Sequence, residues 1–227
     1  MLKDKDIREA LFDFLECEYG KIRIFEEKTM GRSRADVVMV TPKDIYGIEI
    51  KSDADTYARL DRQVKDYNKF YDFNYVVVGS SHGAHIKEHV PDWWGIITVE
   101  RMEDELDFYV LRKPDVNPKL DWKKKMGILW RPELVHIQEL NSMPKYKEKS
   151  KDFVVEKILL KVPEDILRVQ MCNELFERDY SLIGETIEKY RKEQADKAAA
   201  AGRKVKRRRK KTGKRAVIKA VRKIRTE

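Results

Sequence analysis

The sequence lacks several features that would define a secreted or membrane protein. Its 227 residues include two cysteines, Cys17 and Cys172, which are far apart and show no paired spacing. This excludes a disulfide-stapled fold and favours a reduced intracellular setting. The longest apolar runs, such as YVVVG at 75–79, are far short of the ~20 residues that a membrane span needs. The stretch MLKDKDIREALFDFLE carries acidic residues throughout, so it does not resemble a secretory signal. We therefore expect a cytoplasmic protein.

Charge, in contrast, is abundant and unevenly distributed. The net charge is +9, but residues 196–227 alone carry 15 Lys plus Arg against 2 Asp plus Glu, which leaves residues 1–195 with a net charge of −4. The end of the chain is thus a basic tail of low complexity. We predict three parts: an α/β domain at 1–112, a helical extension at 113–195 and the basic tail at 196–227.

The apolar periodicity predicts a mixed α/β fold with the order helix, three strands, helix, strand. The predicted elements are a helix at 4–18, strands at 21–27, 34–40 and 45–51, a helix with the apolar stripe Tyr57, Leu60, Val64 and Tyr67 capped by Asp55 or Thr56, and strands at 74–79 and 91–100. From residue 120 the pattern is helical and broken by prolines. The fold class is therefore α/β, with an αβββαβ core, a helical extension and the tail.

The third predicted strand carries charge where a buried strand would be apolar. Residues i and i+2 of a strand share a face, so Glu49 and Lys51 point the same way while Ile48 and Ile50 point into a core. Asp36 opens the neighbouring strand, and adjacent antiparallel strands bring such residues together. Two converging carboxylates form a hard-oxygen site suited to Mg²⁺ or Mn²⁺. A lysine beside them can orient a metal-activated water or stabilise charge on a phosphate.

This string of motifs resembles the PD-(D/E)XK nuclease superfamily. Asp36 is followed, after a hairpin, by the ExK triplet Glu49-Ile50-Lys51, and QVKDY, with Gln63 and Tyr67, resembles the QxxxY element of the RecB-like branch. Residues 6–99 resemble more closely a poorly characterised bacterial and phage family related to MmcB-type repair nucleases. Arg34-Ala35 replaces the proline that names the superfamily. The resemblance implies a restriction-endonuclease-like core.

The resemblance also implies roles for individual residues. Asp36, Glu49 and the Ile50 carbonyl would bind the metal, and Lys51 would orient water or stabilise charge. Glu9 and Glu27 compete for the place of a further acidic group near the metal. Ser52, Gln63 and Tyr67 would support the site. The implied function is a Mg²⁺- or Mn²⁺-dependent nuclease that hydrolyses DNA in repair, recombination or phage DNA metabolism. The implied location is the cytoplasm, in association with the nucleoid, or the host cytoplasm if the protein is phage-encoded.

Other interpretations of these residues are open. Glu49 and Lys51 also fit the solvated face of an edge strand, and Gln63 with Tyr67 fits an ordinary polar pair on a helix. His82, His85 and His89 allow a zinc site, although surface or loop histidines are favoured because no cysteine and no HExxH pattern accompanies them. Trp93-Trp94 indicates core packing in preference to base stacking. A non-catalytic nucleic-acid-binding or adaptor protein on a nuclease-like scaffold is the alternative function.

The basic tail is predicted to bind phosphates, since neutralising them releases counterions. The residues predicted to contact nucleic acid are Lys204, Lys206, Arg207, Arg208, Arg209, Lys210, Lys211, Lys214 and Arg215. The tail also fits a nuclear-localisation pattern, or a basic amphipathic helix at a membrane surface. DNA is the expected partner. RNA, a companion helicase or recombination protein, and the oligomeric state are left open by the sequence.

Overall fold

The computed structural model describes residues 4–52, 56–83, 85–103, 105–178 and 192, with side chains from residue 7 onward. The chain divides into the units Met1–Glu177 and Arg178–Glu227, and the fold described here is that of the first unit. Its elements are α1 (Asp4–Tyr19), β1 (Arg23–Met30), β2 (Ser33–Val40), β3 (Ile45–Lys51), α2 (Leu60–Phe70), β4 (Phe73–Gly79), β5 (Gly95–Met102), β6 (Glu105–Arg112), α3 (Trp122–Met126), α4 (Arg131–Leu140), α5 (Lys151–Lys161) and α6 (Glu164–Glu177).

The strands form one open, mixed sheet in the order β1-β2-β3-β4-β5-β6. The first three pair antiparallel, β3, β4 and β5 run parallel, and β6 returns antiparallel to β5. The predicted α/β class and the αβββαβ order are confirmed. Strand β6 was not predicted, although Leu106, Phe108 and Val110 alternate with more exposed residues along it. Such alternation is typical of a half-buried edge strand.

Alternation along the central strands separates two apolar cores. Val37, Met39, Ile48 and Ile50 point to the face covered by α1. The neighbouring positions, such as Val38, point to the opposite face, where they pack with residues of α2 and of the later helices. Because period-two alternation sends successive side chains to opposite faces, each central strand contributes to both cores.

Helices α3 to α6 share the second core with the sheet. Met126, Leu134, Val154 and Leu167 belong to the same buried cluster as strand residues such as Val76. The predicted helical extension is therefore helical as far as Glu177, and it packs on the sheet with no break near residue 112. No helix within the described ranges is both long and apolar enough to cross a membrane.

A buried ion pair connects the helices to the sheet. Lys125 of α3 lies with its Nζ 2.7 Å from both carboxylate oxygens of Asp72, and both side chains are fully buried. Asp72 also accepts a hydrogen bond from the backbone N–H of Ile45 (2.9 Å). Arg168 of α6 lies 3.7 Å from Asp72 and 3.0 Å from Asp44. The start of β3 is thus fixed to α3 and α6 through one carboxylate.

Two fully buried tyrosines, Tyr67 and Tyr71, make stability sensitive to alkaline pH. Burial raises the pKa of both above the usual value of about 10. A raised folded-state pKa contributes stability that is complete below pH ~10 and is lost as the pH rises further, because the unfolded chain then releases protons that the folded chain retains. We expect each tyrosine to cost about 1.4 kcal/mol of unfolding free energy per pH unit above 10.

The matched variant is Tyr71→Phe. The Tyr71 hydroxyl is buried without a hydrogen-bond partner among the described residues, so its removal should not lower stability at pH 8. Urea unfolding at pH 8, 10 and 11 should show a shallower alkaline decline for this variant than for the natural chain. Equal declines would contradict the assignment of the effect to Tyr71.

Candidate active site

Asp36 lies where the pairing between β2 and β3 ends. The β2–β3 register runs from Val40↔Ile45 to Val37↔Ile48 and stops there, although both strands continue. Beyond that point Asp36 Oδ2 accepts the backbone N–H of Ile50 at 2.9 Å. A side-chain carboxylate therefore replaces the strand carbonyl that would normally accept this hydrogen bond, and its position is fixed by β3.

The β1–β2 ladder is interrupted opposite the same residue. Glu26 pairs with Val37 and Lys28 with Ala35, whereas Glu27 has a left-handed backbone with φ of 50°. This conformation is uncommon for a residue other than glycine and costs about 1–3 kcal/mol. The backbone groups of Asp36 bond elsewhere: its N–H donates to the Tyr67 hydroxyl (3.3 Å) and its carbonyl accepts from Arg8 (3.5 Å).

Glu49 and Lys51 form a buried ion pair on an internal strand. Lys51 Nζ lies 2.5 Å from Glu49 Oε1. Lys51 is 5% exposed and Glu49 is 1% exposed. Strand β3 lies between β2 and β4. The interpretation of these residues as the solvated face of an edge strand is therefore wrong, and their predicted shared face is confirmed.

Helix α2 supplies two polar side chains to the same carboxylate. Gln63 donates to Glu49 Oε1 and accepts from Lys51 Nζ at 3.0 Å. The Tyr67 hydroxyl lies 2.7 Å from Glu49 Oε2. Burial, together with the negative charges of Glu49 and Asp36, raises the pKa of Tyr67 well above its usual value, so the hydroxyl remains protonated. The two residues are thus joined to Glu49 and are not an isolated surface pair.

Gly47 allows α2 to lie this close to β3. A Cβ at this position would lie 2.2 Å from the Tyr71 ring and 2.6 Å from the Tyr67 ring, which is far inside van der Waals contact. The start of the helix differs from prediction. Thr56 makes no side-chain cap, and a 3-10 turn at Tyr57–Arg59 precedes α2. The alternative cap, Asp55, lies outside the described residues.

These groups line a cavity of about 310 Å³. Its walls carry six basic and three acidic side chains, so it is cationic overall. They are Arg8, Arg32, Arg34, Lys51, Arg59 and Arg62 against Glu27, Asp36 and Glu49. Because Glu49 and Lys51 are almost fully buried, they lie deep within this cavity while several arginines lie exposed around it.

The two competing glutamates are placed differently. Glu27 lines the cavity and pairs with Arg34 at 2.9 Å. Glu9 is exposed and lines a separate cavity with Phe14, Arg101 and Phe108. The expectation that Glu9 lies beside the other carboxylates is corrected accordingly, because its side of α1 faces β6.

Its neighbour Arg8 was not predicted. The Arg8 side chain is 12% exposed and lies 3.2 Å from Glu26, 3.8 Å from Glu27 and 3.9 Å from Asp36. It therefore balances the carboxylates on β1 and β2. The sequence signal for this placement was the position of Arg8 next to the buried Ile7, which directs it toward the sheet. Arginine is not a metal ligand, so the predicted metal site did not include it.

No group of three or more His, Cys, Asp or Glu side chains is arranged to hold a metal within the described part of the chain. The carboxylates that line the cavity are those of Glu27, Asp36 and Glu49, so a metal there would draw its ligands from these and from Ile50. The histidines lie outside this cavity: His82 Nδ1 lies 3.0 Å from the Tyr57 hydroxyl, the His89 ring packs on Tyr57, and His85 is exposed. This agrees with the expected surface or loop histidines.

The remaining predicted residues occupy the core or lie outside the residues that the structure describes. Ser52, directly after Lys51, is buried. Trp94 is fully buried, and both indole N–H groups of Trp93 and Trp94 donate to Asn68, as expected for core packing. The basic-tail residues Lys204 to Arg215 lie outside the described residues.

The sequence profile of the family described as bacteriophage P4 protein cII matches residues 1–182. The chain belongs to this family. The match includes every residue of the cavity, and the basic tail lies outside it. The membership agrees with the expected bacterial or phage origin of the sequence family.

One solved structure with similarity is SfsA of Pyrococcus furiosus in complex with Ca²⁺. The match has a TM-score of 0.33 and 16% sequence identity, and it covers 49% of this chain and 63% of that one. A similarity this low supports no argument about fold or function. No curated protein matches the sequence.

Proposed function

We propose that this protein is a divalent-metal-dependent nuclease that hydrolyses phosphodiester bonds of nucleic acid, with DNA as its substrate. The observation that supports this most strongly is the joint placement of Asp36, Glu49 and Lys51 in one cavity, with Gln63 and Tyr67 bonded to Glu49. The order of these residues in the sequence also resembles the PD-(D/E)XK superfamily.

The residues present fit Mg²⁺ or Mn²⁺. Mg²⁺ usually retains several waters and binds through one or two carboxylates, so Asp36, Glu49 and the Ile50 carbonyl form a sufficient protein contribution. Each carboxylate oxygen has two lone pairs, and Glu49 Oε2 keeps one beyond its hydrogen bond from Tyr67 for a further ligand. When bound, the metal supplies a polarised phosphoryl oxygen and a water of lowered pKa.

The protein residues contribute position and charge. The Ile50 N–H orients the Asp36 carboxylate, and Tyr67 with Gln63 orients that of Glu49. Lys51 is held within the cavity, where its ammonium can stabilise negative charge that develops on the phosphoryl group. Because Lys51 is almost fully buried, this electrostatic stabilisation is stronger than it would be in water.

A cleavage assay tests the proposal. Labelled linear, nicked and single-stranded DNA, and RNA, are incubated with the full chain and Mg²⁺ or Mn²⁺. We expect products with either metal and none with chelator. Calorimetry should show Mn²⁺ binding that Asp36→Asn removes. Absence of cleavage on every substrate with both metals would reject the enzyme proposal.

A second candidate, binding without cleavage, is favoured by the charge pairing. Glu49 is already bonded to Lys51, and Asp36 lies near Arg8, so both carboxylates have cationic neighbours from the chain itself. Such a protein would bind nucleic acid, but it would neither bind Mn²⁺ nor cleave the nucleic acid. The same calorimetry separates the two candidates.

For the nuclease, we place its role in repair, recombination or phage DNA metabolism, and membership in a family described by a bacteriophage protein supports the last of these. A helicase or recombination protein is a suitable companion.

A further inference from the structure

Three exposed arginines at the cavity have no acidic partner among the residues that the structure describes. Arg32 lies in the β1–β2 turn, Arg59 ends the 3-10 turn before α2, and Arg62 lies in the first turn of α2. Among the described residues, none of their guanidinium groups makes an ion pair, whereas Arg8 and Arg34 both do. Within the described part of the chain these three cations are not neutralised, and residues 1–195 carry a net charge of −4, so their position around one concave site points to an anionic ligand.

We propose that Arg32, Arg59 and Arg62 form a phosphate-binding rim that holds the nucleic-acid backbone at the cavity, independently of the basic tail. This inference rests on the proposed nucleic-acid substrate and specifies the residues that bind it. The planar guanidinium presents paired N–H donors that match phosphate oxygens. With Lys51 deeper inside, the positive groups extend from the rim to the position of the proposed chemistry.

The two walls of the rim are held together by Asp66. Its carboxylate accepts hydrogen bonds from the Ser33 hydroxyl at 2.6 Å and from the Arg32 backbone N–H at 3.3 Å. Gly31, with φ of 54°, makes the turn, and a Cβ there would lie 3.0 Å from Asp66. Asp66 also lies four residues after Arg62, on the same face of α2. It is therefore a positioning residue that fixes the Arg32 turn against the helix bearing Arg62.

The placement of the rim arginines on separate segments, Arg32 in the β1–β2 turn and Arg59 and Arg62 around the start of α2, favours a polyanion over a small anion. The cavity volume of about 310 Å³ is at the low end for ligand pockets, so it accommodates a short segment of one strand. A phosphodiester chain supplies successive negative groups that reach arginines on different elements, whereas one small anion would contact only part of the rim. The preformed arrangement reduces the ordering cost of binding.

The test measures binding of the full chain to a fluorescent oligodeoxythymidine and to a duplex, in chelator, over a range of salt concentrations. For Arg59→Gln/Arg62→Gln we expect weaker binding, and a slope of log affinity against log salt that is smaller by about 1.4 on the single strand or about 1.8 on the duplex. The strand type with the larger affinity loss is the one that the rim holds.

The matched control is Lys65→Gln/Arg101→Gln. It removes the same charge, from an exposed site on α2 and from the other cavity, and should leave the slope unchanged.

Asp66→Asn gives a second readout. It makes the protein more positive, so a purely electrostatic role predicts tighter binding, whereas a positioning role predicts weaker binding. Urea unfolding midpoints verify that the variants fold. If the double variant does not fold, Arg62→Gln alone replaces it, with half the expected change in slope.

An unchanged slope and affinity for the arginine variants would overturn the rim proposal, as would an equal loss in the control. Because binding is measured without metal, the result is separate from catalysis. Cleavage that persists with an unchanged slope would reject the rim and leave the nuclease. A reduced slope in a protein that never cleaves would support the rim and reject the nuclease.

Discussion

Replacing Asp36 by asparagine is expected to lower nucleic-acid cleavage by about 10²–10³-fold while the protein remains folded. Asparagine retains an oxygen that can accept the Ile50 N–H, so the β3 contact survives while the negative charge is lost. Glu49→Gln should have a comparable effect, because Glu49 is the group that Lys51, Gln63 and Tyr67 all contact. Single-turnover cleavage with Mg²⁺ measures the loss.

The two other glutamates supply the controls. Glu9→Gln removes a carboxylate that lines a different cavity, and its cleavage rate should match that of the natural chain. Glu27→Gln removes one that lines the proposed site, so its rate should fall, although by less than for Asp36→Asn. Full activity of Asp36→Asn, or an equal loss in Glu9→Gln, would show that the chemistry lies elsewhere.

Replacing Lys125 by methionine is expected to destabilise the fold by about 3–5 kcal/mol. The change leaves the Asp72 carboxylate fully buried, with Arg168 at 3.7 Å as its remaining cationic neighbour. An uncompensated buried charge costs far more than the loss of a surface ion pair. Urea unfolding at neutral pH measures the difference.

Two further variants isolate the charge effect. Lys125→Met/Asp72→Asn removes both charges and keeps an oxygen for the Ile45 N–H, so it should recover much of the stability lost in the single variant. Lys123→Met, on the same helix, breaks an exposed pair with Glu156 and should change stability little. If the double variant were less stable than Lys125→Met, the buried charge would not be the cause.

The sequence was most informative where a local period determines the structure. Alternation along 45–51 placed Ile48 and Ile50 on one face and Glu49 and Lys51 on the other, and it identified the strand with its observed bounds. Spacing of four residues likewise put Gln63 and Tyr67 on one face of a helix. These relations depend on backbone geometry alone, so they survive without knowledge of the tertiary fold.

Contacts between different strands and helices were harder to predict from the sequence. Whether β3 was an edge or an internal strand depended on β4, which pairs with it only after α2 has crossed the sheet. The helical phase of α1 did not reveal that Arg8 meets Asp36 while Glu9 faces β6. The left-handed backbone at Glu27 carries no pattern in the sequence, and the stripes of α3 to α6 did not show that they dock on the sheet.

The alternation of β3 has a consequence for how the family can diverge. Glu49 and Lys51 carry the proposed reactive groups on one face of β3, whereas Tyr46, Ile48 and Ile50 fill a core on the other, so inserting one residue before Glu49 would exchange the two sets and disrupt both. Point substitutions of Glu49 or Lys51 leave the isoleucines in place, but each removes one partner of a buried ion pair. Loss of the proposed chemistry is therefore expected to change both positions together while the length of the strand stays constant.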